Sequence, residues 1–320
     1  MSDTPLSPVG DIPVSASGAP RDNILERSME ERRSARKERW RLLRRRPGFI
    51  IGVVIVTFWV ICAAFGTRFV PYDPFKDLDF SNMQKGPSGK HWFGTDELGR
   101  DIFSRVLVGA RDVLVVAPPA AFISVILGTI LGIVMGYYRG WVDNVLSRIV
   151  EAFLALPVVM VGLLVLTITS TSDILQTITF ESRKLLVIYV VSLLFTPIVA
   201  RTVRAAVLGE RDLDYVVSAR LRGESNMFIM TREILPNITG PIIVELTVRI
   251  GYAIFTVATL SFLGAGPQPP SPDWGLAISE GRVLLPANIW WPVAFPALAI
   301  VTLVVATNLI ADSIQAVYER

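Results

Sequence analysis

Long apolar runs separated by polar islands dominate this chain. Phe49 to Thr67 carries no charge and is long enough to cross a bilayer, which takes about 20 residues. Five more runs follow at about 113–138, 149–170, 185–204, 241–263 and 293–313. The fourth has only sixteen uncharged residues, between Lys184 and Arg201, and Pro197 interrupts it. The pattern predicts an all-α integral membrane protein of six spans, which puts both termini on one side.

The polar segments each carry their own signal. Residues 1–28 are rich in Pro, Ser, Gly and Asp without apolar periodicity, and read as a disordered tail. Residues 29–47 are strongly basic, with Trp40, Leu42 and Leu43 interleaved, and abut the first span. That placement fits a helix on anionic headgroups better than a nucleic-acid site. In the segment 70–112, Thr95 is the expected cap of an interfacial helix with acids in its first turn. Asp96/Arg100 and Asp101/Arg105 are its i,i+4 pairs, and Ile102, Phe103, Val106 and Leu107 its apolar stripe.

The island 205–240 reads as two short helices joined at a glycine. Leu213, Val216, Val217 and Leu221 recur at helical spacing, with Asp212 or Asp214 as the expected N-cap. Gly223 suits the left-handed position after a helix, and Ser225 can cap a second helix that stops near Pro236. In the segment 264–291, Pro267, Pro269, Pro270 and Pro272 exclude regular helix and imply fixed turns.

Composition narrows the chemistry. Of 320 residues, 18% are charged and 52% hydrophobic, against about 25% charged in soluble proteins, so a membrane location fits. Cys62 is the only cysteine, which leaves no intrachain disulfide, and His91 is the only histidine, which excludes His-based zinc sites and catalytic triads. A phosphate cradle is missing too: near Gly89-Lys90, Gln84 stands where the first glycine should be and His91 where the hydroxyl should be. Nothing suggests catalysis, a metal or a bound cofactor. With the N-terminus inside, twenty of the 31 Lys and Arg fall in cytoplasmic segments against ten outside, so both termini and the island 205–240 are expected in the cytoplasm. Glu245 and Arg249 are charges at membrane depth, one turn apart. They read as a neutralising structural pair or as part of a translocation path.

Several strings resemble one family. Ala219 four residues before Gly223, with Leu235-Pro236 twelve residues after it, resembles the cytoplasmic loop of ABC-importer permeases. Val217 and Ser218 stand where the general form has Glu and Ala, and Glu233 replaces an Ile. The string Tyr215-Val-x-x-Ala219-Arg220-x-x-Gly223-x-Ser225 resembles the peptide-importer branch. Phe93 to Asp101, Ser261 to Gly275, and Asn308 with Asp312 are similar to segments of the C-type permease subunits of dipeptide and oligopeptide importers.

The resemblance implies a six-span subunit of type I importer architecture in a bacterial plasma membrane, forming half of a pore. It implies a second homologous permease, two ATPases that carry the ATP and Mg, an extracytoplasmic binding protein, and a peptide cargo. Asp214, Tyr215, Ala219, Arg220, Gly223, Ser225, Leu235 and Pro236 would form the ATPase-coupling loop. Gly264, Gln268, Pro269, Pro270 and Trp274 would face the binding protein. Nickel or another small solute is an alternative cargo in the same architecture. A stand-alone secondary transporter is the competing class, but it would normally show an internal repeat, and none is evident.

Overall fold

The computed structural model describes Glu38, residues 40–171 and residues 180–318. The tail 1–28 and most of the basic run lie outside the described residues. Two units are distinguished, Met1–Arg45 and Arg46–Arg320. In the first, residues 40–44 are helical and the Arg44 guanidinium lies 5.2 Å over the Trp40 ring.

The second unit is a helical bundle without a β-strand among the described residues. Its long helices are α1 (Pro47–Phe69), α2 (Ile102–Tyr137), α5 (Phe180–Glu210), α9 (Thr239–Phe262) and α11 (Trp291–Tyr318). Each is long and apolar enough to span a membrane. Between α2 and α5 the expected third span is not one helix. α3 (Trp141–Leu154) and α4 (Val158–Thr171) meet at a bend of 85°. The break falls at Ala155-Leu156-Pro157, where proline has no N–H to donate and crowds the preceding turn.

The second span begins earlier than the apolar run suggested. The expected interfacial helix is the first three turns of α2, a continuous 36-residue helix that tolerates Pro118 and Pro119. Its cap is Asp101, whose carboxylate accepts from the Ser104 N–H at 2.8 Å, and not Thr95. Thr95 is buried in the preceding loop, where its hydroxyl donates to the Asn82 carbonyl and accepts from the Lys85 N–H. Pro197 likewise stays inside α5.

α2 and α5 pack tightly along their second halves. A Cβ at Gly128 would come within 2.5 Å of Val199 Cβ, and one at Gly132 within 2.6 Å of the Ala200 carbonyl. One at Gly136 would come within 2.6 Å of Val207 Cβ. Glycine every fourth residue therefore brings the two backbones into contact, the small-residue logic of membrane helix pairs. Past α5 come α6 (Asp214–Leu221), α7 (Asn226–Phe228), a π-helical turn (Ile229–Ile234) and α8 (Leu235–Asn237). The chain does not stop at Pro236. The wide turn lets the Leu235 N–H reach the Met230 carbonyl, and the helical path continues through Ile238 into α9. The segment after α9 carries α10 (Trp274–Gly281) and a 3-10 turn (Arg282–Ala287) before α11.

Candidate functional site

Two ends of the bundle hold the residues that the sequence singles out. At the Gly223 end, α6 closes as anticipated. Gly223 has φ +78°, its N–H donates to the Arg220 carbonyl at 3.0 Å, and the Glu224 N–H reaches the Ala219 carbonyl at 3.2 Å. This paired closure needs a left-handed residue at position 223. The Ser225 hydroxyl caps the next helix by accepting from the Phe228 N–H at 3.2 Å. The other cap differs from expectation: Leu213 occupies it without a side-chain bond. Asp212 instead meets Arg139 at 2.5 Å, so a long-range ion pair wins over local capping.

The loop has a core of its own. Val216, Ala219, Ile229, Met230, Ile234 and Ile238 are buried with Ile133 and Tyr137 of α2 and with Val199, Val203 and Val207 of α5. Ala219 is fully buried, so its small size serves packing inside the loop and not an outward surface. Leu235 packs against the same cluster. Tyr215 donates to Glu210 Oε2 at 2.6 Å; burial first, then this bond, push its phenol up to about 12. The Arg220 guanidinium sits 5.3 Å over the Tyr137 ring, whose hydroxyl pairs with Asn226 Oδ1 at 2.8 Å. Asp214, Ser225 and Pro236 sit at the loop's periphery, as does Gly223, with nothing within 4 Å of a Cβ built on it.

Sequence reasoning missed two features here. Buried Arg211 donates from Nη1 to the Gly136 and Tyr137 carbonyls, both at 2.9 Å, and so satisfies the last carbonyls of α2. The sole signal was a basic residue just past a long helix, which names no partner. The loop also leaves apolar side chains uncovered: Leu221 is 84% exposed, Met227 67% and Leu213 46%. Helical spacing groups Leu213 and Leu221 with Val216, but only Val216 of the three is buried.

At the Trp274 end, the proline-rich segment is anchored from both sides. Trp274 is fully buried, donates from Nε1 to the Val106 carbonyl at 2.8 Å, and packs edge-on against Trp59 at 4.8 Å. It is an internal anchor, which corrects the expectation that it faces a binding protein. A Cβ at Gly109 would come within 2.2 Å of the Pro272 carbonyl, so α2 has no side chain where the loop crosses it. Gly264, Gln268, Pro269 and Pro270 remain exposed, with a cis peptide between the last two.

Buried charges surround this anchor. Arg100 bonds Asp96 at 2.6 Å and Glu280 at 2.8 Å, and Arg105 bonds the Ser271 carbonyl at 3.0 Å and Glu280 at 3.4 Å. The expected Asp101/Arg105 pair is absent, because Asp101 is taken by the α2 cap and by His91 Nδ1 at 2.9 Å. Asp112 accepts from Ser271 at 2.7 Å through Oδ2 and meets Lys184 at 3.0 Å through Oδ1. Asp273 caps α10 by accepting from the Leu276 N–H at 2.9 Å, and burial pushes its carboxyl up to about 6.

Between the ends, Glu245 and Arg249 form the pair expected from their spacing, 2.8 Å apart and buried. The Arg249 Nε–H is not aimed at the carboxylate oxygen, so charge and not a directed hydrogen bond holds the pair. The Phe195 and Tyr252 rings lie 5.7 and 4.8 Å from the guanidinium. Among the described residues no group of His, Cys, Asp and Glu is arranged to hold a metal ion.

Known proteins share this chain's pattern. Residues 128–320 match the family model described as binding-protein-dependent transport system inner membrane component. Residues 34–87 match the N-terminal TM domain of oligopeptide transport permease C. The glutathione transport system permease protein GsiD of Escherichia coli O157:H7 is 40% identical over 280 residues, 87% of this chain and 88% of that one. The protein of that name in Shigella boydii is similar to the same degree, and that of Shigella dysenteriae is 39% identical. The chain therefore belongs to the family of binding-protein-dependent inner-membrane components: it is a multi-pass, non-catalytic permease subunit of an ABC importer, of the dipeptide/oligopeptide type.

Proposed function

We propose that this chain forms half of the pore of an importer for short peptides, glutathione-sized tripeptides included. The observation that carries the cargo reading is the 40% identity to glutathione permeases across 87% of the chain. The partners are a second permease, two ATPases that bind all the ATP and Mg, and an extracytoplasmic binding protein; the chain itself holds no cofactor. Both termini and the Gly223 loop lie in the cytoplasm, as the Lys/Arg bias favours.

The ATPase docks on the Gly223 loop over exposed Leu213, Leu221 and Met227, with Asp214, Ser225 and Pro236 at the rim. Tyr215, Ala219, Arg220 and Leu235 hold the loop to α2 and α5, so that ATPase closure moves all three together. Gly264, Gln268, Pro269 and Pro270 meet the binding protein, and Glu245 and Arg249 border the path. Two measurements test this. Affinity purification from the native host in mild detergent should recover a second permease and Walker-motif ATPases, and lose the ATPases on Gly223→Val. Uptake of labelled glutathione and dipeptides should fall when the chain is deleted; unchanged peptide uptake with lost nickel uptake would transfer the reading to a metal importer.

A further inference from the structure

α3 differs from every long helix in the bundle. It lies at the Gly223 end, where Arg139 precedes it and pairs with Asp212. It turns 85° away from α4. Its sides divide into three sectors at 100° per residue. One sector packs inward: Val150 is buried, Leu146 lies against Met135 and Ala200, and Asp143 takes a bidentate bond from Arg204 of α5 at 2.6 and 2.7 Å. The next is apolar and uncovered: Trp141 is 76% exposed, and Val145, Ile149 and Phe153 each 45–50%. The third holds exposed Asn144, Arg148 and Glu151.

We infer that α3 is a membrane-surface helix, seated in the lipid headgroup layer at the Gly223 end, with its uncovered apolar stripe in the acyl region. A helix with adjacent apolar and charged exposed sectors satisfies both only at a boundary between hydrocarbon and water. Trp141 heads the stripe, as aromatic residues do at such boundaries. Arg139 and Arg148 suit phosphate headgroups. The stripe runs on through exposed Leu156 at the bend into exposed Met160 and Leu164 of α4.

Through Asp143 and Arg204, α3 then ties the membrane surface to α5 two turns before the Gly223 loop. The inference rests on the geometry of α3 and not on the cargo.

The test uses the full chain assembled with its partner subunits in lipid nanodiscs. Single cysteines Ile149→Cys and Asn144→Cys carry an environment-sensitive fluorophore; Cys62 is buried, and the unsubstituted chain gives the background. Spin-labelled lipid should quench the label at position 149 about threefold more than aqueous iodide does, with the order reversed at 144. Val54→Cys, on the exposed side of α1, is the lipid reference and Val145→Cys the replicate for the stripe. A label at 149 shielded from both quenchers would make the stripe a subunit seam, and one quenched by iodide alone would make it a water-facing surface; either overturns the inference.

Discussion

The two ends of the bundle are held by opposite means. At the Gly223 end an apolar cluster fastens the loop to α2 and α5, and its charges mostly stay at the rim: the side chains of Arg139 and Asp212 are 65% and 54% exposed. At the Trp274 end the fasteners are buried charges, with the Arg100 and Arg105 side chains each only 4% exposed. Apolar packing is non-directional and loses stability in proportion to the atoms removed. A buried charge network fails differently, since deleting one member strands the others in a medium that cannot solvate them. Loss of one contact should therefore weaken the Gly223 end by degrees and the Trp274 end abruptly.

The sharpest test of that contrast is Arg100→Ala. It leaves Asp96 and Glu280 without their closest cation and should cost roughly 3–5 kcal/mol, read as a lower unfolding midpoint in detergent. Ile234→Ala, at a fully buried site in the apolar cluster, should cost about 2–4 kcal/mol without altering the Trp274 end. If the arginine change proves the milder of the two, the contrast fails.

Asp273 offers a pH-dependent version. Its carboxyl titrates near 6 in the folded chain, above an ordinary aspartate near 3.9. Within that window the folded state holds a proton that the unfolded state has released. Stability should therefore fall as pH rises from about 4 to 6, by up to roughly 2–3 kcal/mol. Asp273→Asn should flatten this slope in thermal melts across the window, whereas Ile234→Ala should keep it. The smallest effect on stability is expected from Gly223→Val, about 1–2 kcal/mol, because only the backbone conformation resists. Substrate-stimulated ATP hydrolysis should nevertheless fall, and normal turnover in that variant would remove the loop from the coupling route.

What the sequence disclosed follows the same divide. Gly223 and Ser225 were legible because their roles are met within five residues, by backbone groups of their own loop. The Glu245/Arg249 pair was legible for the same reason. Arg211 was not, because its partners are the carbonyls of Gly136 and Tyr137, some 75 residues away. The burial of Trp274 was hidden because a run of prolines suggests an exposed turn, while its partners Val106 and Trp59 lie on two other helices. The bend in the third span was not legible, because the apolar run 149–170 continues through Pro157 and its hydropathy does not register the missing N–H that breaks the helix there.

The glycine seam between α2 and α5 has a consequence in leverage. Joined backbone to backbone, the two helices make a beam about 54 Å long on the α2 side. A tilt of about 5° around its middle carries each tip through roughly 2 Å, close to the margin between a hydrogen bond and none. Asp112 lies about 11 Å from the middle toward the far tip, where the same tilt moves it by about 1 Å, with one oxygen toward Lys184 on the beam itself and the other toward Ser271 on the crossing loop. The first contact rides with the beam; the second must stretch. Asp112 thus joins the beam to the crossing loop through a single carboxylate, so that a tilt of the one is felt as strain on its bond to the other.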